Sequence, residues 1–197
     1  MSSASLSKTT ALTLRSIEAV SHYEPNQFSL KDIAKDVGMD EKEFSTFFPT
    51  KKDLIRAGWF YIDNDFFEIA LAYSKKGENF EKTFNALLDH YLLYPHFIRF
   101  ALTYDYVFPR RRLPEDYPEY KQMVIDKLVK PLDLKKPTLG DTEIGYQITD
   151  HWVRELVLDL ELILDGIVPD TPTMRHLMVQ IIEDGLFSFN KIPGTPE

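Results

Sequence analysis

Histidines and carboxylates are the residues best able to carry catalysis or hold a metal, and their spacing in this sequence favours neither. His90 and His96 are six residues apart, so on a helix they would not stack on one face as a metal pair does. No Ser-His-Asp order, glycine-rich phosphate loop or paired carboxylate with an evident partner is present. We therefore expect no metal, no cofactor and no enzymatic activity. A small helical enzyme stays an alternative, and it would need a cluster of titratable groups in a pocket.

Aromatic side chains crowd residues 91–108 and could line a pocket for an apolar or aromatic ligand. Tyrosine hydroxyls, with His90 or His96, would supply the few polar anchors that such pockets carry. The alternative for any one ring is ordinary packing in a hydrophobic core, which is the commoner environment of a large aromatic residue. The rings concerned are Tyr91, Tyr94, Phe97, Phe100, Tyr104, Tyr106 and Phe108.

The elements that position these residues are helices, and the clearest two lie within residues 29–54. Ser29 is suited to cap a first helix, which Gly38 can end in a left-handed conformation. Asp40 is suited to cap a second helix, with Glu43 as its capping-box partner. Two short helices joined by a glycine turn are typical of a helix-turn-helix, whose second helix enters the major groove of DNA. The alternative is an ordinary helical hairpin inside an all-α protein.

Residue types across 29–54 carry more information than the helical pattern alone. A hydroxyl residue opens the stretch, Asp-Ile-Ala follows, a glycine marks the turn, and Phe-Phe precedes Pro-Thr-Lys. This order resembles the helix-turn-helix of TetR-type transcriptional repressors. The matching positions are Ser29, Asp32, Ile33, Ala34, Gly38, Met39, Asp40, Phe44, Phe47, Phe48, Thr50, Lys51 and Leu54.

The resemblance implies a unit that binds operator DNA. Ser29 and Lys51 stand at the positions where the family contacts phosphate. Phe47 replaces a tyrosine of the family, so its expected role is at most packing against a sugar. The candidates for DNA contact are Ser29, Lys31, Lys42, Ser45, Thr46, Phe47, Lys51 and Lys52.

An acidic run at residues 40–43 departs from the family, which often has Lys or Arg early in the second helix. Affinity for DNA rests mostly on neutralisation of phosphates by lysine and arginine, and acidic residues oppose it. A carboxylate can nevertheless accept a hydrogen bond from N4 of cytosine. The alternative is a TetR-like protein without operator binding that acts as a co-activator or protein-interaction module.

Composition bounds the chain as a whole. Its 197 residues, 44% of them hydrophobic, suit one compact unit or two small ones that share a core. The chain has no cysteine, no apolar signal-like start and no apolar run of membrane-spanning length, so we expect a cytoplasmic protein without a membrane partner. The net charge of −8 lies wholly outside residues 1–57, where eight basic residues match eight acidic ones.

The rest of the chain shows helical periodicity interrupted by proline and glycine. The last two predicted helices carry broad apolar stripes, and Gly166 is suited to end the first of them. These helices could pair with their copies in a second chain as a four-helix interface, or lie within a monomer core. The predicted helices cover 9–23, 30–37, 41–48, 50–74, 80–93, 96–108, 116–129, 143–165 and 172–189.

The sequence thus predicts an all-α chain with a helix-turn-helix unit at 1–53, a ligand-binding and dimerisation unit at 54–190 and a loose tail at 191–197. The resemblance implies a homodimer whose two helix-turn-helix units, here called the reading heads, lie about one DNA turn apart, ~34–36 Å. It also implies transcription regulation by an unknown small effector, whose binding favours a spacing of the heads that no longer fits DNA. The ligand-binding candidates are Tyr91, Tyr94, Phe97, Phe100, Tyr104 and Trp152.

Overall fold

A computed structural model describes residues 8–24, 27–76, 80–107 and 155–188 of the chain. Eight helices and no strand occur within these ranges, so the predicted all-α class is confirmed for them. The helix predicted over 116–129 and the first part of the helix predicted over 143–165 lie outside the described residues. None of the helices in these ranges combines the length and the apolar character needed to cross a bilayer.

The observed helix bounds follow the predicted ones to within a few residues. Caps and prolines explain this agreement, because they mark helix ends locally in the sequence. The helices are α1 (Lys8–Val20), α2 (Leu30–Asp36), α3 (Glu41–Phe47), α4 (Lys51–Lys75), α5 (Phe80–Leu93), α6 (Pro95–Val107), α7 (described over 155–164) and α8 (Pro172–Ser188).

The described residues fall into two compact units. Unit 1 contains residues 8–65 and 94–107, and unit 2 contains residues 66–93 and 155–188. Helix α4 is continuous across the change from one unit to the other. The boundary predicted at residue 53 stays a prediction.

Unit 1 is built on α1, which packs against both α2 and α6. The inward face of α1 is fully enclosed, since Ile17 and Val20 have no exposed surface. Phe28 fills the core just before α2, and its ring meets that of Tyr104 edge-on with the centroids 5.9 Å apart. Such an edge-to-face pair is a favourable arrangement of two aromatic quadrupoles.

A close approach of α6 to α4 in unit 1 depends on Gly58. The ring of Phe100 lies against the backbone of this glycine, so that a Cβ added at residue 58 would lie 2.8 Å from Cε1 of Phe100 and nearer still to Cζ. Phe100 also contacts Trp59 at 6.3 Å and Tyr104 at 5.0 Å between ring centroids. Only glycine allows the ring to occupy this space without displacement.

Unit 2 joins the start of α8 to α5 through charged contacts. Arg175 Nη1 lies 2.6 Å from Asp89 Oδ1, and its Nη2 donates to Asp170 Oδ2 at 2.8 Å. His176 Nδ1 lies 2.9 Å from Glu81 Oε1. The apolar core of this unit includes Phe84, Leu87, Leu88, Tyr91, Leu156, Leu160, Met178 and Ile182.

Both ends of the link between α7 and α8 were predicted from local sequence. Gly166 has φ 68°, and its N–H donates to the carbonyl of Ile163 at 3.0 Å, while the N–H of Ile167 donates to that of Leu162 at 3.0 Å. This pair of bonds is the Schellman arrangement, which favours glycine at the left-handed position. Pro172 occupies the first position of α8, where a backbone N–H would have no intrahelical acceptor, so the missing N–H of proline costs no hydrogen bond.

Replacement of Gly58 by alanine tests the packing of Phe100. Overpacking of a core costs about 1–3 kcal/mol, whereas alanine gains only about 0.5–1 kcal/mol over glycine inside a helix. Because the added Cβ would overlap two ring atoms of Phe100, the cost should lie in the upper part of its range, and we expect Gly58→Ala to lower the free energy of unfolding in urea by about 1–2 kcal/mol. Gly58→Ala combined with Phe100→Leu leaves room for the methyl group and should lose less than the two single changes together. A Gly58→Ala protein as stable as the wild type would contradict this account.

Candidate nucleic-acid interface

Helix α2 begins at a reciprocal capping box. The Ser29 hydroxyl accepts a hydrogen bond from Asp32 N at 3.1 Å and donates to Asp32 Oδ2 at 2.6 Å. The same carboxylate accepts from Ser29 N at 2.9 Å. These hydrogen bonds from Ser29 lower the pKa of the Asp32 carboxyl. The prediction of Ser29 as an N-cap is confirmed, and Asp32 is its capping-box partner.

The turn from α2 to α3 is closed by Gly38, as predicted. Gly38 has φ 67°; its N–H donates to the carbonyl of Lys35 at 3.0 Å, and Met39 N donates to that of Ala34 at 2.8 Å. The guanidinium of Arg15 on α1 also donates to the carbonyl of Val37 at this turn. The turn is therefore held both by its own backbone and by α1.

Helix α3 presents one buried face and one exposed face. The Asp40 carboxylate caps it by accepting from Lys42 N at 2.9 Å and Glu43 N at 3.3 Å. Phe44 is wholly buried, and its ring packs against Phe48 with the centroids 5.1 Å apart. Because Phe44 fixes the inward direction, the opposite side of the helix faces solvent. The exposed residues of α3 are Glu41, Lys42, Glu43 and Thr46, and among them Lys42 and Thr46 lie opposite Phe44.

The hydroxyls on α3 donate to the backbone of their own helix. Ser45 Oγ donates to the carbonyl of Glu41 at 2.8 Å, and Thr46 Oγ1 donates to that of Glu43 at 2.6 Å. Each hydroxyl can still accept a hydrogen bond through its remaining lone pair. In this arrangement the two side chains offer acceptors to a ligand, and the ammonium of Lys42 offers donors.

Lys8, the first residue of α1, lies over one flank of α3. Its Nζ is 2.7 Å from Glu43 Oε1 and 5.5 Å from the centroid of the Phe47 ring. Glu43 was predicted to complete a capping box with Asp40, and the structure instead pairs its carboxylate with Lys8. The two residues are 35 positions apart in the sequence, so no local pattern could have indicated the contact.

Helix α4 begins at a second capping box, formed by Thr50 and Asp53. Thr50 Oγ1 donates to Asp53 Oδ2 at 2.7 Å, and Asp53 N donates back to Thr50 Oγ1 at 3.2 Å. Lys51 Nζ lies 4.9 Å from the centroid of the Phe28 ring, a cation–π contact. Lys31 and Lys52 are exposed near the starts of α2 and α4.

The predicted DNA contacts and the predicted effector contacts are distributed differently. Residues 29–52, which hold every DNA candidate, lie in unit 1 on α2, α3 and their flanks. Among the effector candidates, Phe97, Phe100 and Tyr104 are buried in unit 1, Tyr94 is 44% exposed there, Tyr91 is buried in unit 2, and Trp152 lies outside the described residues.

The buried effector candidates of unit 1 pack as core residues. The Tyr104 ring contacts Phe28 and Phe100, and burial raises the pKa of its hydroxyl to about 12. This hydroxyl has no hydrogen-bond partner among the residues that the structure describes. A buried polar atom without a partner is destabilising, so this hydroxyl, like Ser16 Oγ and His96 Nε2 in the same unit, is suited to form a new contact.

A cleft of about 420 Å³ lies on unit 2, between α5 and the start of α8. It contains none of the predicted effector residues, and five of its six lining residues carry charged or polar side chains. No periodicity signals it, because residues about 90 positions apart in the sequence form it. Within the described ranges no group of three or more His, Cys, Asp or Glu side chains is arranged to hold a metal. The residues lining the cleft are Glu81, Asn85, Asp170, Thr171, Pro172 and Arg175.

Comparison with known proteins finds no match for this chain among family models, curated proteins or solved structures. The resemblance to TetR-type repressors therefore rests on the residues of 29–54 alone. It stays a prediction, and the function must be argued from the geometry of the site.

Loss of the Ser29 hydroxyl tests the cap of α2. Removal of an N-cap side chain typically costs about 1 kcal/mol, and we expect that loss for Ser29→Ala in urea unfolding. Ser45→Ala is the matched control, because its hydroxyl bonds only to the preceding turn; its effect should stay within about 0.5 kcal/mol. Equal losses in the two variants would contradict a special role for the cap.

Proposed function

We propose that the chain is a DNA-binding transcription regulator of the TetR type, in which α2 and α3 form the helix-turn-helix. The observation that carries the proposal is the junction at Gly38, with α3 capped by Asp40, buried on its Phe44 side and exposed on the opposite side. A recognition helix needs this combination, because one face must be fixed to the protein while the other enters the major groove.

Side-chain chemistry around α2, α3 and α4 supports contact with a duplex. Lys31, Lys51 and Lys52 follow the starts of α2 and α4, where ammonium groups can neutralise phosphates. Lys42 and Thr46 lie on the exposed side of α3 and supply a donor and an acceptor for base edges. Contacts of the first kind give affinity, and contacts of the second kind give sequence preference.

Exposed apolar residues of unit 2 support a homodimer through α7 and α8. Leu177 and Ile181 are 46% and 60% exposed and lie four residues apart, so they share one face of α8. Leu158 of α7 is 48% exposed. Large apolar side chains exposed on one helix face are more typical of a protein interface than of a monomer surface. Two-fold pairing would give the two reading heads that a palindromic operator requires.

Release from DNA by a small effector completes the proposal. An effector that binds one conformation more tightly shifts the population towards it. The regulator is released from DNA when the two helix-turn-helix units in that conformation are spaced so that they no longer fit adjacent major grooves. The buried Tyr104 hydroxyl and His96 Nε2, which have no hydrogen-bond partner among the described residues, are polar groups that favour unit 1 for an effector. Repression, rather than activation, follows from the resemblance only.

A second candidate function is protein interaction without operator binding. The hydroxyls of Ser29, Ser45, Thr46 and Thr50 all donate within the protein, and both capping boxes place a carboxylate at a helix start where a phosphate would bind. With the acidic run at 40–43, these contacts favour a basic partner over a polyanion. A gel shift with the upstream DNA of the protein's own gene separates the two functions, since only the first predicts a complex.

Lys51→Ala tests the phosphate contact. Each phosphate neutralised contributes about 0.9 to the slope of log Kobs against log salt concentration. We therefore expect the variant to bind operator DNA more weakly for every sequence, with a slope smaller by about one. Lys82→Ala on α5 removes the same charge from unit 2 and should leave both quantities unchanged. An unchanged affinity and slope for Lys51→Ala would refute the contact.

Ile181→Glu tests the homodimer. A buried, unpaired carboxylate strongly disfavours an apolar interface, so we expect the mass measured by light scattering to fall from twice 23.0 kDa to 23.0 kDa. Gln27→Glu adds the same charge at an exposed position of unit 1, away from α7 and α8 in the sequence, and should leave the dimer intact. Retention of the dimer by Ile181→Glu would place the interface elsewhere, and a monomeric wild type would refute it.

A further inference from the structure

We propose that Glu43 reads a cytosine in the operator and that Lys8 is its exchangeable counter-ion. This inference rests on the proposed DNA-binding function and deepens it. In the protein alone, Lys8 Nζ is paired with Glu43 Oε1 at 2.7 Å. On the duplex, the ammonium would move to a phosphate and the carboxylate would accept a hydrogen bond from N4 of cytosine.

Position on α3 selects Glu43 rather than its acidic neighbour Glu41. Glu43 and Phe47 are four residues apart and share one flank of the helix, and Lys8 contacts both. Glu41 and Ser45 share the other flank, where the Ser45 hydroxyl bonds to the Glu41 carbonyl. Among the acidic residues of 41–43, Glu43 is therefore the one whose charge a described contact from α1 neutralises.

Exposure makes the exchange easy. The side chains of Lys8 and Glu43 are 66% and 48% exposed, so solvent screens their attraction. Exposed ion pairs contribute less than about a fivefold factor to an equilibrium. A phosphate is a stronger partner for the ammonium, because its neutralisation releases condensed counterions from the duplex. The pair can thus open without loss of the fold.

The exchange also resolves the conflict between an acidic helix and a polyanion. A bare carboxylate at the groove would repel phosphates, whereas a carboxylate shielded by Lys8 during approach would not. Once Lys8 has moved to a phosphate, the Glu43 oxygens are acceptors only, and cytosine is the base whose major-groove edge presents a donor without an adjacent acceptor. The acidic run at 40–43 then specifies sequence rather than preventing binding.

The test is selection of duplexes from a random library by the full-length protein, followed by binding titrations on the selected site and its single-base variants. The wild type should prefer a C·G pair at one position by about tenfold or more. Glu43→Gln should reduce that preference below about threefold or shift it to adenine, which a glutamine recognises. Glu41→Gln, the matched control, should keep the preference. Circular dichroism checks that each variant is folded.

Lys8→Ala tests the second half of the inference. We expect it to weaken binding to all sequences by a similar factor and to lower the salt slope by about one, because one phosphate contact is lost. The weakening should be larger in the Glu43→Gln background, because there no ion pair has to open before Lys8 reaches the phosphate. An unchanged slope, or equal weakening in both backgrounds, would overturn the exchange.

The outcomes also separate this inference from the proposed function. If the wild type selects a site and Glu43→Gln has the same preference at every position, the reading role of Glu43 is refuted while DNA binding stands. If the wild type selects no duplex and shifts none in a gel, both proposals are refuted together.

Discussion

Burial of one face of α1 is the interaction on which the rest of unit 1 depends. This face packs against α2 and α6, and Ile17 and Val20 lose all their exposed surface there. A helix of 13 residues is marginal on its own, so this packing also makes α1 a helix at all. The polar side of α1 then holds the turn after α2 through Arg15 and α3 through Lys8. One rigid element thus sets the position of both helices of the candidate reading head.

Aromatic rings extend this core from α1 towards α4. Phe28, Tyr104, Phe100 and Trp59 contact one another in sequence, with centroids 5.0–6.3 Å apart. Phe28 comes directly before the Ser29 cap, and Phe100 lies on the backbone of Gly58. Close-packed interiors transmit strain rather than absorb it. A shift of α6 would therefore displace the start of α2. An effector-controlled regulator requires a mechanical connection of this kind.

Local signals in the sequence predicted the helix ends, but the sequence pattern did not predict contacts between residues far apart in the chain. The roles of Ser29, Gly38, Asp40 and Gly166 were predicted correctly, because each residue acts on backbone groups within a few positions of itself. The contacts of Lys8 with Glu43 and of Arg175 with Asp89 join residues 35 and 86 positions apart, and no periodicity encodes them.

The aromatic candidates show a different limit of sequence reasoning. A ring at helical spacing is apolar whether it lines a pocket or fills a core, so the pattern could not separate the two. The structure packs Phe100 and Tyr104 into the core of unit 1 and places Tyr91 in unit 2. The polar cleft beside Arg175 was missed for the opposite reason, because its charged lining resembles any solvated surface.

Helix α8 combines two surfaces that respond in opposite ways to dissolved ions. Its first turns are tied to α5 by Arg175 and His176, and added salt weakens the exposed contact of His176 with Glu81 more than the contact of the largely buried Arg175 with Asp89. Further along, Leu177 and Ile181 expose apolar surface to water. Sulfate or phosphate ions make the burial of such surface more favourable. A rise in the concentration of these salts would therefore loosen the contacts between the start of α8 and α5. The same rise would make burial of the apolar face of α8 more favourable.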